Sequence, residues 1–168
     1  MVFDLDQRTA SLSVGEFSSF ITGPRDATGG PQGIWRAQLG THWHNELRAR
    51  ATDEAPATEF EVPITGRIAH RGWTLTLTGR IDQILRTPAV AENSPAAITL
   101  REIKTVTREL PVDESELRSA YPDYFAQLAA YATLNRLAPA AETEPKTQNP
   151  KPKTVFRAEL VFVEVTSG

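Results

Sequence analysis

Residues 73–85 read WTLTLTGRIDQIL. Trp73, Leu75 and Leu77 alternate with Thr74, Thr76 and Thr78, the period of two that buries one face of a β-strand. Upstream, residues 59–70 read EFEVPITGRIAH, and Arg71 and Gly72 alone separate the two stretches, so they form a hairpin. Each stretch contains TGRI, at 65–68 and at 78–81. The echo is too short for a repeat architecture and reflects two adjacent strands. A third strand follows at 98–106, ITLREIKTV, and a last one at 154–165, TVFRAELVFVEV.

Helical signals surround these strands. Ser13 and Glu16 stand at the spacing of a capping box, opening a short helix with Val14, Phe17 and Phe20 on related faces. Residues 1–10 read as a loose lead-in. Residues 23–33 hold four Gly and two Pro and read as a loop. Residues 34–50 read as a helix, with Trp35, Leu39, Trp43 and Leu47 recurring every four positions. Residues 86–97, with Pro88 and Pro95, form a loop, and residues 107–120 are a polar, charged connection. Pro122 suits a first helical turn and opens a helix to Leu137. Residues 138–153 hold four of the 12 prolines and no large apolar residue, and read as a flexible Pro-rich loop. The order is helix, helix, three strands, helix, strand, which predicts one α/β domain over 1–168.

Composition narrows the function. The 168 residues fit one domain, and 40% hydrophobic with 23% charged residues excludes wholesale disorder and fibrous repeats. The net charge of -3, from 18 Lys+Arg and 21 Asp+Glu, does not favour a general electrostatic grip on nucleic acid. With no cysteine, disulfides, thiolate zinc sites, a cysteine nucleophile and a cysteine-held iron–sulfur cluster are excluded. The opening MVFDLDQRTA is acidic and polar, unlike an export signal. No apolar stretch approaches the ~18 residues that span a bilayer. These features predict a soluble, cytoplasmic protein without a membrane partner.

The third strand carries the first chemical signal. Glu102 and Lys104 are two apart and share a face with Ile98 and Leu100. Charges on an apolar face need a partner, and an edge-strand ion pair is the ordinary account. Asp82 ends the second strand, where aspartate is disfavoured and ordinarily serves a turn or salt bridge. If the two strands pair, Asp82 and Glu102 converge, and two carboxylates repel unless a cation lies between them. Oxygen ligands of this kind suit Mg²⁺ or Mn²⁺. A lysine beside such an ion can orient water or offset charge on a phosphate.

Gln127 and Tyr131 are i and i+4 on one helical face, extended by Tyr124 and Leu128; ordinarily Tyr131 would be core and Gln127 solvated. His44 leans toward the apolar stripe near Leu47, where a lone histidine is ordinarily structural. His42 and His44 cannot share a helical face, which disfavours a zinc site with Glu46. His70 reads as exposed in the hairpin turn.

In order, these motifs are Gly40-Thr41-x-x-His44-x-x-Leu47, Gly79-Arg80-Ile81-Asp82, Glu102-Ile103-Lys104-Thr105 and Gln127-x-x-x-Tyr131. Together they resemble the RecB-like branch of the PD-(D/E)XK nuclease superfamily, found in recombination helicase–nucleases and CRISPR-associated exonucleases. The opening LSVGEFSSFITGPR, at 12–25, resembles that family's lead-in helix, and AELVFVEV, at 158–165, its last core strand. The resemblance implies a restriction-endonuclease-like core, a central mixed β-sheet flanked by helices. It implies a metal-dependent deoxyribonuclease of DNA repair or recombination, endo- or exonucleolytic, acting on DNA with Mg²⁺ or Mn²⁺. His44, Asp82 and Glu102 would bind the metal, with the Ile103 carbonyl as a further ligand. Asp82, Glu102 and Lys104 would be catalytic, and Gln127 and Tyr131 would border the site and contact DNA or the lysine.

Many relatives hold an iron–sulfur cluster on four cysteines. Here Gly23-Pro24-Arg25 stands where the family often has Cys-Pro, and no cluster is expected. We expect either a domain of a longer helicase–nuclease or a stand-alone subunit partnering a helicase. The rival reading from another class is a catalytically inactive nuclease-fold module that binds nucleic acid. The filled motif positions argue against such decay.

Overall fold

The computed structural model describes residues 1–23, 31–54, 57–88, 96–137 and 154–165. The Pro-rich stretch 138–153 lies outside the described residues, as do 24–30 and 89–95 within the two expected loops. Strands β1 (Val2–Asp4) and β2 (Thr9–Ser13) come first, then helices α1 (Val14–Thr22) and α2 (Pro31–Glu54). Strands β3 (Glu59–His70), β4 (Trp73–Thr87) and β5 (Ala97–Val106) follow. Helices α3 (Glu114–Ala120) and α4 (Pro122–Leu137) then lead to β6 (Val155–Glu164). All six strands form one mixed sheet, so the fold is α/β with a central mixed sheet flanked by helices.

Three sequence expectations are corrected. Residues 1–10 are not a loose lead-in, because β1 pairs antiparallel with β2, and β2 pairs parallel with β4. Parallel pairing joins Thr9–Ser13 to Thr74–Thr78, a contact of long sequence separation that leaves no local signal. Pro31–Gly33 belong to α2 rather than to the preceding loop, proline being well placed at a helix start. The connection at 107–120 contains α3, capped by Asp113, which accepts from the amides of Ser115 and Glu116.

The hairpin matches its prediction. Arg71 (φ 47°) and Gly72 (φ 77°) both have positive φ, as a two-residue type I′ turn requires. Along β4, Leu77 and Ile81 are core residues while Thr74, Thr78 and Arg80 are exposed. The inward set then shifts, for Ile84 is also core. The break in alternation falls on Asp82 and Gln83.

β4 organises the sheet. One edge pairs with β3 along its length. The other edge is shared: β2 takes Thr74–Thr78 and β5 takes Gln83–Thr87. Between them Gly79–Asp82 have no strand partner on that edge among the described residues. The gap opens because Ser13 ends β2 and caps α1 at once. Glu16 N–H donates to Ser13 Oγ at 3.1 Å, and Ser13 N–H to Glu16 Oε2 at 2.8 Å, the predicted capping box.

Helices cover both faces. Successive residues of β5 point to opposite sides. Arg101 and Ile103 line a cavity with Leu47, Arg50 and Ala51 of α2. Glu102 faces α4, whose Gln127 reaches it. Helix α4 seats on two glycines. A Cβ on Gly79 would lie 2.6 Å from the Tyr131 ring, and one on Gly66 would lie 2.5 Å from Leu134 Cδ2. The TGRI echo thus marks two notches on neighbouring strands that admit residues one helical turn apart.

Gly79→Ala is therefore expected to destabilise the protein by about 1–3 kcal/mol through overpacking against Tyr131. Gly15→Ala in α1, where nothing lies within 4 Å of the new methyl, is expected to be neutral or stabilising by up to about 1 kcal/mol. Urea unfolding of the two variants beside wild type checks both signs.

Candidate functional site

The site lies at the gap in the β4 edge. Asp82 is the first β4 residue past the end of the β4–β5 ladder, whose last pair is Gln83 with Arg101. Its carboxylate takes over from the missing backbone pairing: Ile103 N–H donates to Asp82 Oδ2 at 2.7 Å. Asp82 Oδ1 lies 3.8 Å from His44 Nδ1 of α2. Helix α2 approaches β5 at Gly40, where a Cβ would lie 3.8 Å from Thr105 Oγ1, and His44 follows one turn later.

Glu102 is buried, 2% exposed, on the α4 side of β5. Its Oε1 accepts from Lys104 Nζ at 2.7 Å and from Gln127 Nε2 at 2.8 Å. Its Oε2 is buried with no hydrogen-bond partner among the described residues. Burial pushes the Glu102 carboxyl up to about 7; the Lys104 ammonium opposes the rise and the Asp82 carboxylate adds to it. Burial also raises Asp82, against the pull of the Ile103 amide and His44. Burial works to lower Lys104, but the charge and hydrogen bond of Glu102 outweigh it, so its pKa lies above the ordinary value and it stays an ammonium. Its Nζ also sits 5.2 Å from the centre of the Tyr124 ring.

The expected pair on α4 divides its work. Tyr131 is 4% exposed, wedged on Gly79, so its side chain is core rather than a surface for DNA. Gln127 is half-buried instead of solvated, and donates to Tyr131 Oη at 3.3 Å as well as to Glu102. The pair thus holds Glu102, and through it the lysine. Ile103 meets the site through its amide, as donor to Asp82. His42 stacks edge-on against Trp43 and is exposed, apart from the site.

One residue escaped the sequence reading. Single ligand atoms of His44, Glu61 and Asp82 lie within 4.8 Å of one another. Glu61 is exposed at an outward position of β3, which in sequence looks like any solvated charge. The signal that could have found it is register: in a hairpin with a two-residue turn at 71–72, position 61 falls opposite position 82.

No protein-family model matches the chain, and no curated protein matches it. Among solved structures, the chain is similar to the crystal structure of SSO0001, with 17% sequence identity and a TM-score of 0.49. The alignment covers 81% of this chain and 60% of that one, so the match spans less than two thirds of that chain's length.

The raised Glu102 pKa sets a pH dependence. In the unfolded chain this carboxyl releases its proton near 4.5, in the folded protein near 7. The folded state therefore holds the extra proton between those values. Its stabilising contribution is complete below about 4.5 and lost as pH rises through about 7. Thermal melts in EDTA should show wild type losing stability relative to Glu102→Gln across this window, and added Mn²⁺ should restore more stability at about pH 8 than at about pH 5. Parallel melting curves for the two proteins would refute the assignment.

Proposed function

We propose that this chain is a divalent-metal-dependent nuclease that hydrolyses phosphodiester bonds of DNA. One observation carries the reading. A buried carboxylate, Glu102, and a half-buried one, Asp82, stand inside neighbouring strands with Lys104 bound to Glu102, and Glu102 Oε2 is left without a partner among the described residues. A buried carboxylate oxygen with nothing to accept is costly for a purely structural ion pair. It suits a hard cation, and carboxylate and imidazole donors fit Mg²⁺ or Mn²⁺.

Asp82, Glu102 and His44 would hold the ion, with the Ile103 carbonyl as a further candidate. When bound, such an ion lowers the pKa of a coordinated water and neutralises charge on a phosphate. Lys104 holds a proton at Nζ at working pH and stands where it can position the attacking water and offset charge developing on the phosphate. Gln127 fixes Glu102, and Tyr131 fixes Gln127. The substrate is cytoplasmic DNA under repair or recombination, with a helicase domain or subunit as the partner that would deliver it. No helix among the described residues is long and apolar enough to cross a membrane.

The test is cleavage of single- and double-stranded DNA with Mg²⁺ or Mn²⁺. Wild type is expected to cut in a metal-dependent, EDTA-sensitive way, and Lys104→Ala to lose at least ~100-fold in rate. Absence of wild-type cleavage on any DNA form, or equal cleavage by the variant, would sink this reading. Salt-dependent DNA retention without turnover would point to a binding module instead.

A further inference from the structure

Glu61 stands outside every motif used above. It sits on β3 between Phe60, which pairs with Gln83, and Val62, which pairs with Ile81. By register it faces Asp82, yet it drops out of the ladder, with a left-handed φ of 51°. Residues other than glycine adopt that conformation uncommonly. The result is that its carboxylate meets the same space as Asp82 and His44, with one ligand atom from each inside 4.8 Å.

A second observation bears on what belongs there. Glu102, 2% exposed, leaves Oε2 unpartnered among the described residues, and because its neighbour Arg101 pairs with Gln83 it stands beside Asp82 just past the end of the β4–β5 ladder, as Glu61 stands beside Asp82 on β3. Three carboxylates therefore converge. Of the cations beside them, Lys104 is engaged on Glu102, and Arg80 reaches Glu61 at 3.7 Å with its side chain 67% exposed.

We infer that Glu61 is a cation ligand, and that with His44 and Asp82 it seats a divalent ion whose mixed imidazole and carboxylate donors favour Mn²⁺ over Mg²⁺. The inference rests on the metal-dependent reading above and adds to it a residue that the motifs lack. An imidazole donor suits first-row transition ions, whereas Mg²⁺ prefers oxygen and retains its waters.

Calorimetric titration of the metal-stripped chain with Mn²⁺, and separately with Mg²⁺, tests it without requiring activity. Wild type is expected to bind Mn²⁺ more tightly than Mg²⁺. Glu61→Gln should weaken Mn²⁺ by at least ~10-fold. Its melting temperature in EDTA should stay near that of wild type. Glu61→Asn, which tolerates the left-handed backbone, replaces it should the Gln variant fail to fold. Arg80→Gln, which removes the nearby cation but no ligand, should bind Mn²⁺ at least as well as wild type. Unchanged Mn²⁺ affinity in Glu61→Gln overturns the inference and leaves the nuclease reading standing. No Mn²⁺ binding by wild type overturns both. Weakened binding in Glu61→Gln beside a wild type that cuts no DNA supports the ligand role and removes the nuclease.

Discussion

A carboxylate placed 2% exposed in a sheet interior governs this molecule. Leaving Glu102 charged there without compensation would cost several kcal/mol. Its surroundings reduce that cost on one oxygen alone. Lys104 comes from the same face of the same strand, two residues on, so backbone geometry delivers it without any further element. Gln127 must come from α4, and it arrives because Tyr131, one turn further along, is seated in the Gly79 notch. Helix packing, glycine placement and the site's charge balance are therefore one arrangement. The second oxygen is left open, and the chemistry proposed for the protein begins from it.

The topology of β4 explains why this happens at one place. A strand with both edges paired throughout would have buried its backbone and left Asp82 a poor fit. Here β2 leaves the edge at Thr78 to become α1, and β5 joins it at Gln83. The interval offers a stretch of edge with no strand partner among the described residues, room for a helix to press close, and a carboxylate that satisfies the Ile103 amide. Opposite it, Glu61 leaves the β3 ladder. Both edges of β4 are thus interrupted within the residues 79–82.

Legibility in sequence followed the range of the interactions. The bounds of β3 and the start of α4 were readable, because alternation, a two-residue turn and an N-terminal proline are local signals. The capping box at Ser13 was readable for the same reason. Strands β1 and β2 were not, since they are short and mostly exposed: β2 acquires strand character by pairing with a segment some sixty residues away, and β1 by pairing with β2. Helix α3 hid in polar sequence, where its caps and the Arg118–Glu114 pair matter more than any apolar stripe. Among site residues, Asp82, Glu102 and Lys104 stood out because charges inside strand patterns are anomalous. Glu61 did not, because a charge on an outward strand position is ordinary.

The sequence by itself determined that the chain is α/β and that Glu102 and Lys104 share a strand face. It also determined that Gln127 and Tyr131 share a helix face. Each of these follows from periods of two or 3.6 residues that hold whatever the chain's neighbours are. Tertiary structure alone decided that Gln127 grips Glu102 rather than facing solvent, and that Tyr131 is a core wedge. It decided too that His44, Glu61 and Asp82, carried by a helix and two strands, meet within 4.8 Å. Those outcomes depend on register and on how closely α2 and α4 approach the sheet, which are properties of packed surfaces and not of any single segment.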